Sequence, residues 1–292
     1  MSAPSIAMEF RILGPFEIRA GDVVLDVGGP RQRLLLARLV VSRNHVVPVD
    51  QLIDELWLGD PPSGAREALQ AQISRARKAL RFSGGVLRSD RSGYVLDCAE
   101  GALDADRFEG LVARARLHSP GHPEGAATLL REAEQCWRGP ALAEFADYSF
   151  AQAEATRLEE LRLFATEERI EAELAIGRHH VLAGELEALA GAHPLRERLW
   201  GQLMLCLYRA DRQAEALRAY STLRQTLGEE LGVTPSSALR ALEESILLQR
   251  PEIAWKEDVF PATSNNLPVS TTRFIGRGEE LAQLYTLSLI HI

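Results

Sequence analysis

The sequence predicts an α+β domain followed by an all-helical domain. In residues 1–98, short alternating apolar segments punctuated by Gly and Pro are interspersed with amphipathic helical segments, which is typical of a mixed α+β unit. From Leu103 onward, almost every segment has helical periodicity, and the interruptions contain Pro or Gly. A chain of 292 residues is long enough for two such domains.

The mixed domain should begin with three strands and a buried helix. EFRILG and FEIRAG are separated by Gly14-Pro15, and DVVLDV follows the turn Gly21-Asp22. RQRLLLARLVV then fits a mostly buried helix with Pro30 in its first turn. After the brief strand HVVPV, Asp50 is expected to cap the next helix, VDQLIDELWL.

A third helix and a hairpin complete the mixed domain. The turn Pro61-Pro62-Ser63 precedes the helical segment GAREALQAQISRARKAL, and VLRSDRSGYVLDC is interpreted as two strands around a polar tip. The order strands, helix, strand, helix, helix, hairpin is that of a winged helix-turn-helix, whose recognition helix enters the DNA major groove. The predicted fold class is therefore an α+β winged helix-turn-helix domain followed by an all-α tetratricopeptide-like helical domain.

The third helix concentrates positive charge within a chain whose net charge is −8. At 100° per residue, Leu69, Ile73, Ala76 and Leu80 form one core-facing stripe, and the opposite side is polar and cationic. Arg and Lys side chains can bond guanine, and Gln can bond adenine. A solvated amphipathic helix is the alternative interpretation. The candidate DNA-contacting residues on the helix are Gln70, Ser74, Arg75, Arg77, Lys78 and Arg81, and the hairpin adds Arg88 and Arg91 beside the backbone or minor groove.

The helical region contains one tetratricopeptide-like pattern. Five apolar or small residues fall on signature positions of the 34-residue repeat, namely Trp200, Leu203, Leu207, Ala216 and Tyr220. Two other signature positions depart from the repeat, so the segment is interpreted as tetratricopeptide-like. Two ordinary antiparallel helices are the alternative.

Ordered segments across both domains resemble one known family. ILGPFEIRAG, GPRQRLLLARLVV, VDQLIDELW, LQAQISRARKAL and SGYVLD resemble the OmpR-type winged helix, in the version found in SARP-type activators of antibiotic biosynthesis pathways. ALDADRFEGLVARAR, WRGPALAEFAD, RLEELRL, HPLRERLWGQLMLCLYRADRQAEALRAY and LGEELGVTPSSALRALEESIL resemble the bacterial transcriptional activator domain that follows it. The resemblance implies a DNA-binding winged helix at 8–98 and an all-helical activator domain at 103–250.

The resemblance also implies a function and partners. It implies an activator of a secondary-metabolite (antibiotic) biosynthesis cluster that binds direct repeats in double-stranded promoter DNA. The expected protein partners are RNA polymerase and a second copy of the chain, as a homodimer or as side-by-side protomers on DNA. A tetratricopeptide-like protein-interaction adaptor with a degenerate winged helix is the alternative function.

Matching the family's recognition helix gives roles to individual residues. The family pattern S/R-R-L-R corresponds here to Ser74, Arg75, Ala76 and Arg77, with Ala76 in place of Leu. Arg75 is then expected to contact a base. Phosphate contacts are expected from Arg66, Arg77 and Lys78, and Gln70 and Ser74 are expected to tune sequence preference. Arg31 and Arg33 either touch phosphates or are only solvated.

Enzymatic function, cofactors and metals are not expected. The two lysines, Lys78 and Lys256, do not follow a glycine, so the chain has no Walker A motif for ATP hydrolysis. His179-His180 is interpreted as two solvated histidines. The acidic residues between Glu154 and Glu187 are interpreted as a solvated face that pairs with arginines.

Cysteine usage and hydropathy indicate a cytoplasmic protein. Cys98, Cys136 and Cys206 stand far apart and are odd in number, which favours reduced thiols over a metal or redox role. No run of about 18 apolar residues occurs, so neither a transmembrane helix nor a membrane partner is expected.

The C-terminal segment is interpreted in three pieces. Residues 251–270 contain three prolines and little periodicity, which predicts a linker. FIGRGEELAQL, within 271–286, resembles the opening of the ATPase domain in larger members of this regulator class, so 271–286 is interpreted as the start of a truncated nucleotide-binding domain. LSLIHI, at 287–292, resembles a translated library-preparation adaptor rather than natural protein.

Overall fold

Two three-stranded sheets frame the N-terminal part of the molecule. The computed structural model describes residues 8–80, 87–118 and 121–255, so the three C-terminal pieces interpreted above lie almost wholly outside the described residues. The first sheet is antiparallel, in the order β1 (Met8–Arg11), β2 (Glu17–Ala20) and β3 (Val23–Val24). In the second sheet, β6 (Gly93–Leu96) lies between β4 (Val47–Pro48) and β5 (Leu87–Ser89). β5 and β6 form the predicted hairpin.

Three helices complete the winged helix-turn-helix. They are α1 (Pro30–Val41), α2 (Val49–Leu56) and α3 (Ala65–Ala79). The predicted turns at Gly14 and Gly21 are confirmed, because both residues have positive φ angles, 133° and 58°. The expectation that Asp50 caps α2 is wrong. Pro48 occupies the cap position without a side-chain hydrogen bond, and Asp50 lies inside the first turn.

The helical region contains seven further α-helices among the described residues and one short 3₁₀ helix, Ala143–Phe145. The α-helices are α4 (Asp104–His118), α5 (Pro123–Glu134), α6 (Ser149–Ala175), α7 (His179–Ala192), α8 (Glu197–Arg209), α9 (Gln213–Leu231) and α10 (Ser237–Leu247). The tetratricopeptide-like pattern implies two helices here, and α8 and α9 are those two, but the turn between them contains neither Gly nor Pro and its position was not assigned from the sequence. There Asp211 turns the chain with a φ of 60°.

One hydrophobic core joins the winged helix to the start of the helical region. It runs from Phe10 and Phe16 through α1 to α3 and continues into α4, α5 and the first half of α6. Phe16 packs edge-on against Phe145, with ring centroids 5.6 Å apart. Asp104, 6% exposed, accepts hydrogen bonds from the backbone N–H groups of Ile12 (2.9 Å) and Leu13 (3.1 Å). The two predicted domains therefore share a core and a buried polar junction.

A second core follows, built on the tetratricopeptide-like helix pair. All five signature residues on α8 and α9 are buried, and they pack together with residues of α6, α7 and α10. Gln202 on α8 donates to the backbone carbonyl of Glu167 on α6 across 2.8 Å, which links α8 to the middle of α6.

Charged side chains are buried between the two cores, and this corrects the expectation of a purely solvated acidic face. Glu167, 2% exposed, pairs with Arg196, and Glu173 pairs with Arg131 and Arg169. The two acids and Arg169 lie on α6 just after Ala165, where the first core ends, while Arg131 lies on α5 and Arg196 directly precedes α8. The acids and arginines are buried together because an unpaired buried charge lowers the stability of the fold by roughly several kcal/mol, whereas a buried charge with an ionic partner is tolerated.

His179 also departs from the sequence prediction. His180 is exposed as expected, but His179 is 5% exposed, and its ring packs against His180 and Trp255 with centroids 4.3 and 5.7 Å away. Burial lowers the pKa of His179, and the neighbouring His180 and Arg209 lower it further. Among the described residues, no group of His, Cys, Asp and Glu is arranged to hold a metal ion.

The three cysteines are free. Burial raises the pKa of Cys98 to about 12 and that of Cys206 to about 11, so both thiols stay protonated at neutral pH. None of the helices in the described part of the chain is both long enough and apolar enough to cross a bilayer.

Candidate nucleic-acid interface

The face of α3 that points away from the core is polar and exposed. The predicted stripe of Leu69, Ile73, Ala76 and Leu80 is buried, each residue at 2% exposure or less, which anchors α3 on the domain core. The other side of the helix is exposed along its length, at Arg66, Glu67, Gln70, Ala71, Ser74, Arg75, Arg77 and Lys78. The helix therefore presents a row of donors flanking the small residues Ala71 and Ser74.

Arg75 and Lys78 are the cations that the fold leaves available on this face. In the part of the chain that the structure describes, neither side chain forms an ion pair or a hydrogen bond. They lie three positions apart, so their side chains project from one side of α3. Because nothing within the described residues neutralises them, they can bind an anionic or hydrogen-bonding ligand without breaking an existing contact.

Arg77, on the other flank, is engaged with the hairpin. Its Nε donates to the backbone carbonyl of Leu87 (3.0 Å) and its Nη2 to the hydroxyl of Ser89 (2.8 Å). The guanidinium also lies 6.0 Å from the ring centroid of Tyr94. Arg77 therefore fixes the hairpin against α3, a role that the sequence did not indicate.

Two further predicted residues have acidic partners. Arg66 forms an exposed ion pair with Asp50 (2.6 Å), and Arg88 bonds Asp97 across the hairpin (2.8 Å). Exposed pairs of this kind contribute about 1 kcal/mol or less, so a polyanion can displace them. Arg91, at the hairpin tip, is exposed, and no ion pair involves it within the described ranges. Arg81 lies outside the described residues.

The two arginines of α1 differ. Arg31 is exposed and lies over the ring of Trp57, 5.7 Å from its centroid. Arg33 was expected either to touch phosphates or to be solvated, and the structure places it in a contact between the two regions. It binds both carboxylate oxygens of Glu144 (2.7 and 2.9 Å) and the carbonyl of Phe16 (2.6 Å). A bidentate partner from the helical region holds this guanidinium away from the α3 face.

A cleft of about 820 Å³ borders α3 on the Arg75 side. Its walls are the segment 25–32 and the second half of α3, including Gln72, Arg75 and Lys78. Gln32 crosses beneath it and donates to the backbone carbonyl of Gln72 (3.0 Å). Gln32 was not among the predicted site residues, because it lies between Arg31 and Arg33 in the polar first turn of α1 and no local pattern marks its contact with α3.

Two protein families match the chain over the regions just described. Residues 27–96 match the family described as transcriptional regulatory protein, C terminal, and residues 103–247 match the bacterial transcriptional activator domain. The first match contains α1 to α3 and the hairpin, and the second contains α4 to α10.

Known regulators are similar over nearly the whole chain. The transcriptional regulatory protein EmbR of Mycobacterium tuberculosis is 37% identical over 278 residues, which are 94% of this chain and 71% of EmbR. The transcriptional regulator RedD of Streptomyces coelicolor is 35% identical over 89% of this chain and 77% of RedD. The regulatory protein AfsR of Streptomyces coelicolor is 40% identical over 95% of this chain, but the match spans only 28% of AfsR.

A solved structure agrees with the fold. The structure of Mycobacterium tuberculosis EmbR in complex with a low-affinity phosphopeptide superposes with a TM-score of 0.79 at 40% identity, covering 84% of this chain and 66% of the EmbR chain. Both regions therefore match in sequence, in order and in fold. The chain belongs to the SARP family of DNA-binding transcriptional activators.

Proposed function

We propose that this chain activates transcription by placing α3 in the major groove of promoter DNA, with the β5–β6 hairpin on the adjacent backbone. The observation that carries this proposal is the pair Arg75 and Lys78, two exposed cations that have no ion-pair or hydrogen-bond partner among the described residues, on a helix whose opposite face is buried. An α-helix fits the major groove, and unpaired donors there can read base edges.

The surroundings of each side chain suggest different roles on DNA. Arg75 is exposed on one flank of the helix face, next to the small residue Ser74, and the family's recognition-helix pattern assigns a base contact to it. Lys78 and Arg91 lie toward the ends of the surface and suit phosphates. Arg77 already binds the hairpin, so its main contribution would be to orient the hairpin. If several phosphates are contacted, the affinity for DNA should fall by roughly several powers of ten between 50 and 200 mM salt.

The wider assembly is proposed on the basis of the family. The proposal is that side-by-side protomers bind direct repeats near a promoter, engage RNA polymerase and activate a secondary-metabolite (antibiotic) biosynthesis cluster. The similarity to RedD and AfsR supports this. A contact between protomers predicts that two repeats bind more tightly than one repeat of the same sequence.

The test begins with a preferred DNA sequence selected from a pool of randomised double-stranded oligonucleotides. Arg75→Ala should weaken binding to the selected DNA by about 1–3 kcal/mol and relax preference at one position. Lys78→Ala should weaken binding to all sequences alike and reduce the salt slope by about 0.9. The matched control is Arg224→Ala, which removes an exposed arginine from α9 and should change neither quantity.

Either of two results would contradict the proposal. One is that no sequence is enriched at low salt. The other is that Arg75→Ala and Lys78→Ala bind the selected DNA as the unaltered chain does. A chain that retains no DNA at low salt but captures a protein through residues 104–250 would instead be the adaptor described above.

A further inference from the structure

The second core carries an open groove that the DNA-binding proposal does not use. Helices α6, α8 and α10 alternate with α7 and α9 along the chain, so the three lie side by side on one surface, as alternate helices do in a helical solenoid. Between them lies a groove of about 640 Å³. Its apolar lining consists of Leu174, Ala175, Leu205, Ala238, Leu239 and Leu242.

The acidic residues of this groove already have partners. Glu171 pairs with Arg198, and Glu197 accepts a hydrogen bond from the backbone N–H of Ser236 (2.9 Å). Arg198 also pairs with Glu168 (2.5 Å). Arg198 is thus already paired with acidic residues of the chain itself.

Arg209, which also lines the groove, differs from those residues. Its Nε donates to the carbonyl of Ile253 and its Nη1 to the carbonyl of Leu174, both across 3.0 Å. Across residues 8–80, 87–118 and 121–255, no carboxylate lies within ion-pairing distance of it. Burial lowers the pKa of the Arg209 guanidinium, as expected for a desolvated cation that lacks an anionic partner. A carboxylate from outside would compensate this charge.

Gln202 supplies a second unmet polar group. The residue lines the groove and is 7% exposed. Its Nε2 donates to the carbonyl of Glu167, which fixes the amide orientation, and no donor among the residues that the structure describes reaches Oε1. A peptide backbone carries N–H donors, whereas an alkyl carboxylate such as a fatty acid carries none. The groove therefore favours a peptide over a lipid.

We propose that the groove between α6, α8 and α10 binds a short segment of a partner protein that carries apolar side chains and one carboxylate, with the carboxylate on Arg209. Apolar side chains would cover the leucine lining, and a backbone N–H would bond Gln202. Binding of this kind uses helices of the second core only, so it requires neither DNA nor α3.

The probe is a peptide selected from randomised 12-residue peptides displayed on phage, with the full chain as bait. Enriched sequences should combine Leu, Ile, Val or Phe with an Asp or Glu. The peptide is then synthesised with a fluorophore, and its affinity is measured by fluorescence anisotropy without DNA. Replacing its acidic residue by the corresponding amide should weaken binding about tenfold or more, since a charge-assisted hydrogen bond would be lost.

Two tryptophan substitutions on α10 locate the site. Ala238→Trp fills the groove from its exposed edge and should reduce binding at least tenfold. Ala241→Trp, on the same helix, is the matched control, because Ala241 is exposed but does not line the groove. Both variants should keep the circular dichroism spectrum and melting temperature of the unaltered chain.

Any of four outcomes would overturn the proposal. The first is that the selection enriches no peptide, and the second is that the enriched peptides lack an acidic residue. The third is that the selected peptide binds Ala238→Trp as tightly as Ala241→Trp. The fourth is that a synthetic peptide with the sequence of residues 256–267 competes at equal affinity, in which case the groove serves the chain's own C-terminal segment instead of a partner.

Discussion

At the scale of single residues, the contact between Arg33 and Glu144 joins the winged helix to the helical region. Hydrogen bonding from Arg33, aided by the backbone N–H of Phe16, lowers the pKa of Glu144 below its ordinary 4.5. A carboxyl group whose pKa is lower in the folded state stabilises the fold at neutral pH, and this contribution is lost as the pH falls through the folded-state pKa.

Glu144→Gln should therefore lower the free energy of unfolding by about 1 kcal/mol at pH 7, a value reduced for the partial exposure of the pair. The difference between the variant and the unaltered chain should narrow as the pH falls below 4.5. Urea unfolding at pH 7 and at pH 3.5 measures both values. Glu230→Gln, at an exposed position without an ion pair among the described residues, is the control. If the difference in the free energy of unfolding between Glu144→Gln and the unaltered chain is the same at both pH values, ionisation of Glu144 does not stabilise the fold.

His179 gives a second pH dependence, caused by burial and neighbouring positive charge instead of by hydrogen bonding. Its pKa is lowered in the folded state, so the unfolded chain takes up a proton first as the pH falls through about 6.5. The free energy of unfolding should consequently decline between pH 7.5 and pH 5.5, and His179→Leu should flatten that decline. Denaturant unfolding across this range tests the expectation. The exposed His45 provides the control, since His45→Leu should leave the slope as it is.

The sequence predicted the side-chain environment well where periodicity decides it and poorly where a distant partner decides it. The buried stripe of α3 follows from helical spacing alone, and every member is buried. Arg33 lies 111 positions before Glu144, and no local pattern in α1 indicates that carboxylate. His179 and Glu167 were assigned to solvent because polarity predicts exposure, whereas tertiary packing buries both.

At the scale of elements, the second sheet depends on a glycine. A Cβ atom added at Gly93 would lie 1.9 Å from the carbonyl oxygen of Val47 and 2.9 Å from the Cα of Pro48, both of which are backbone atoms that cannot rotate away. The pairing of β6 with β4 therefore requires Gly at this position. The sequence indicated a hairpin here but not this close approach.

Gly93→Ala should separate β4 from β6 and lower the free energy of unfolding by about 3 kcal/mol or more. Gly110→Ala makes the same chemical change inside α4, where an added Cβ meets no atom within 4 Å. That variant should gain about 0.5–1 kcal/mol from helix propensity. Paired thermal and urea unfolding measures the contrast, and similar effects at the two positions would show that backbone crowding at Gly93 is not the cause.

Most helices and strands could be predicted from the sequence, because Gly and Pro indicate where they end and apolar periodicity indicates their type. α3 spans Ala65–Ala79 inside the predicted helix, and the hairpin tip lies where the polar run indicated. The turn residue between α8 and α9 was not identified because an Asp with a positive φ carries no distinctive sequence signal. The cap of α2 was misassigned because Asp is a common cap, while the strand β4 leads directly into α2 through Pro48.

At the scale of the whole molecule, the shared first core limits how the chain can be divided. Phe10, Ile12, Leu13 and Phe16 are each at most 1% exposed, and their partners include Leu103, Leu142 and Phe145 of the helical region. Sequence patterns placed a domain boundary near residue 98 because the composition changes there. Such patterns carry no information on which apolar faces meet across the boundary.

A fragment of residues 1–98 should therefore fail to fold cooperatively, because it leaves these side chains in water. The expected signs are binding of a dye specific for exposed apolar surface and the absence of a sigmoidal urea transition, while residues 1–255 show both a native near-ultraviolet spectrum and a cooperative transition. A fragment 1–98 that unfolds cooperatively with native near-ultraviolet signals would contradict the shared-core interpretation.

The polar junction at Asp104 and the continuous first core have one more consequence for a chain bound to a promoter in the proposed way. The part of the helical region that shares the first core with the winged helix must move with α3 as a rigid unit when α3 takes a different position around the duplex axis. Since B-DNA completes a turn in about 10.5 base pairs, displacing the operator by about five would swing that part of the chain to the opposite side of the double helix. Activation should then oscillate with the spacing between operator and promoter, with the period of the duplex itself.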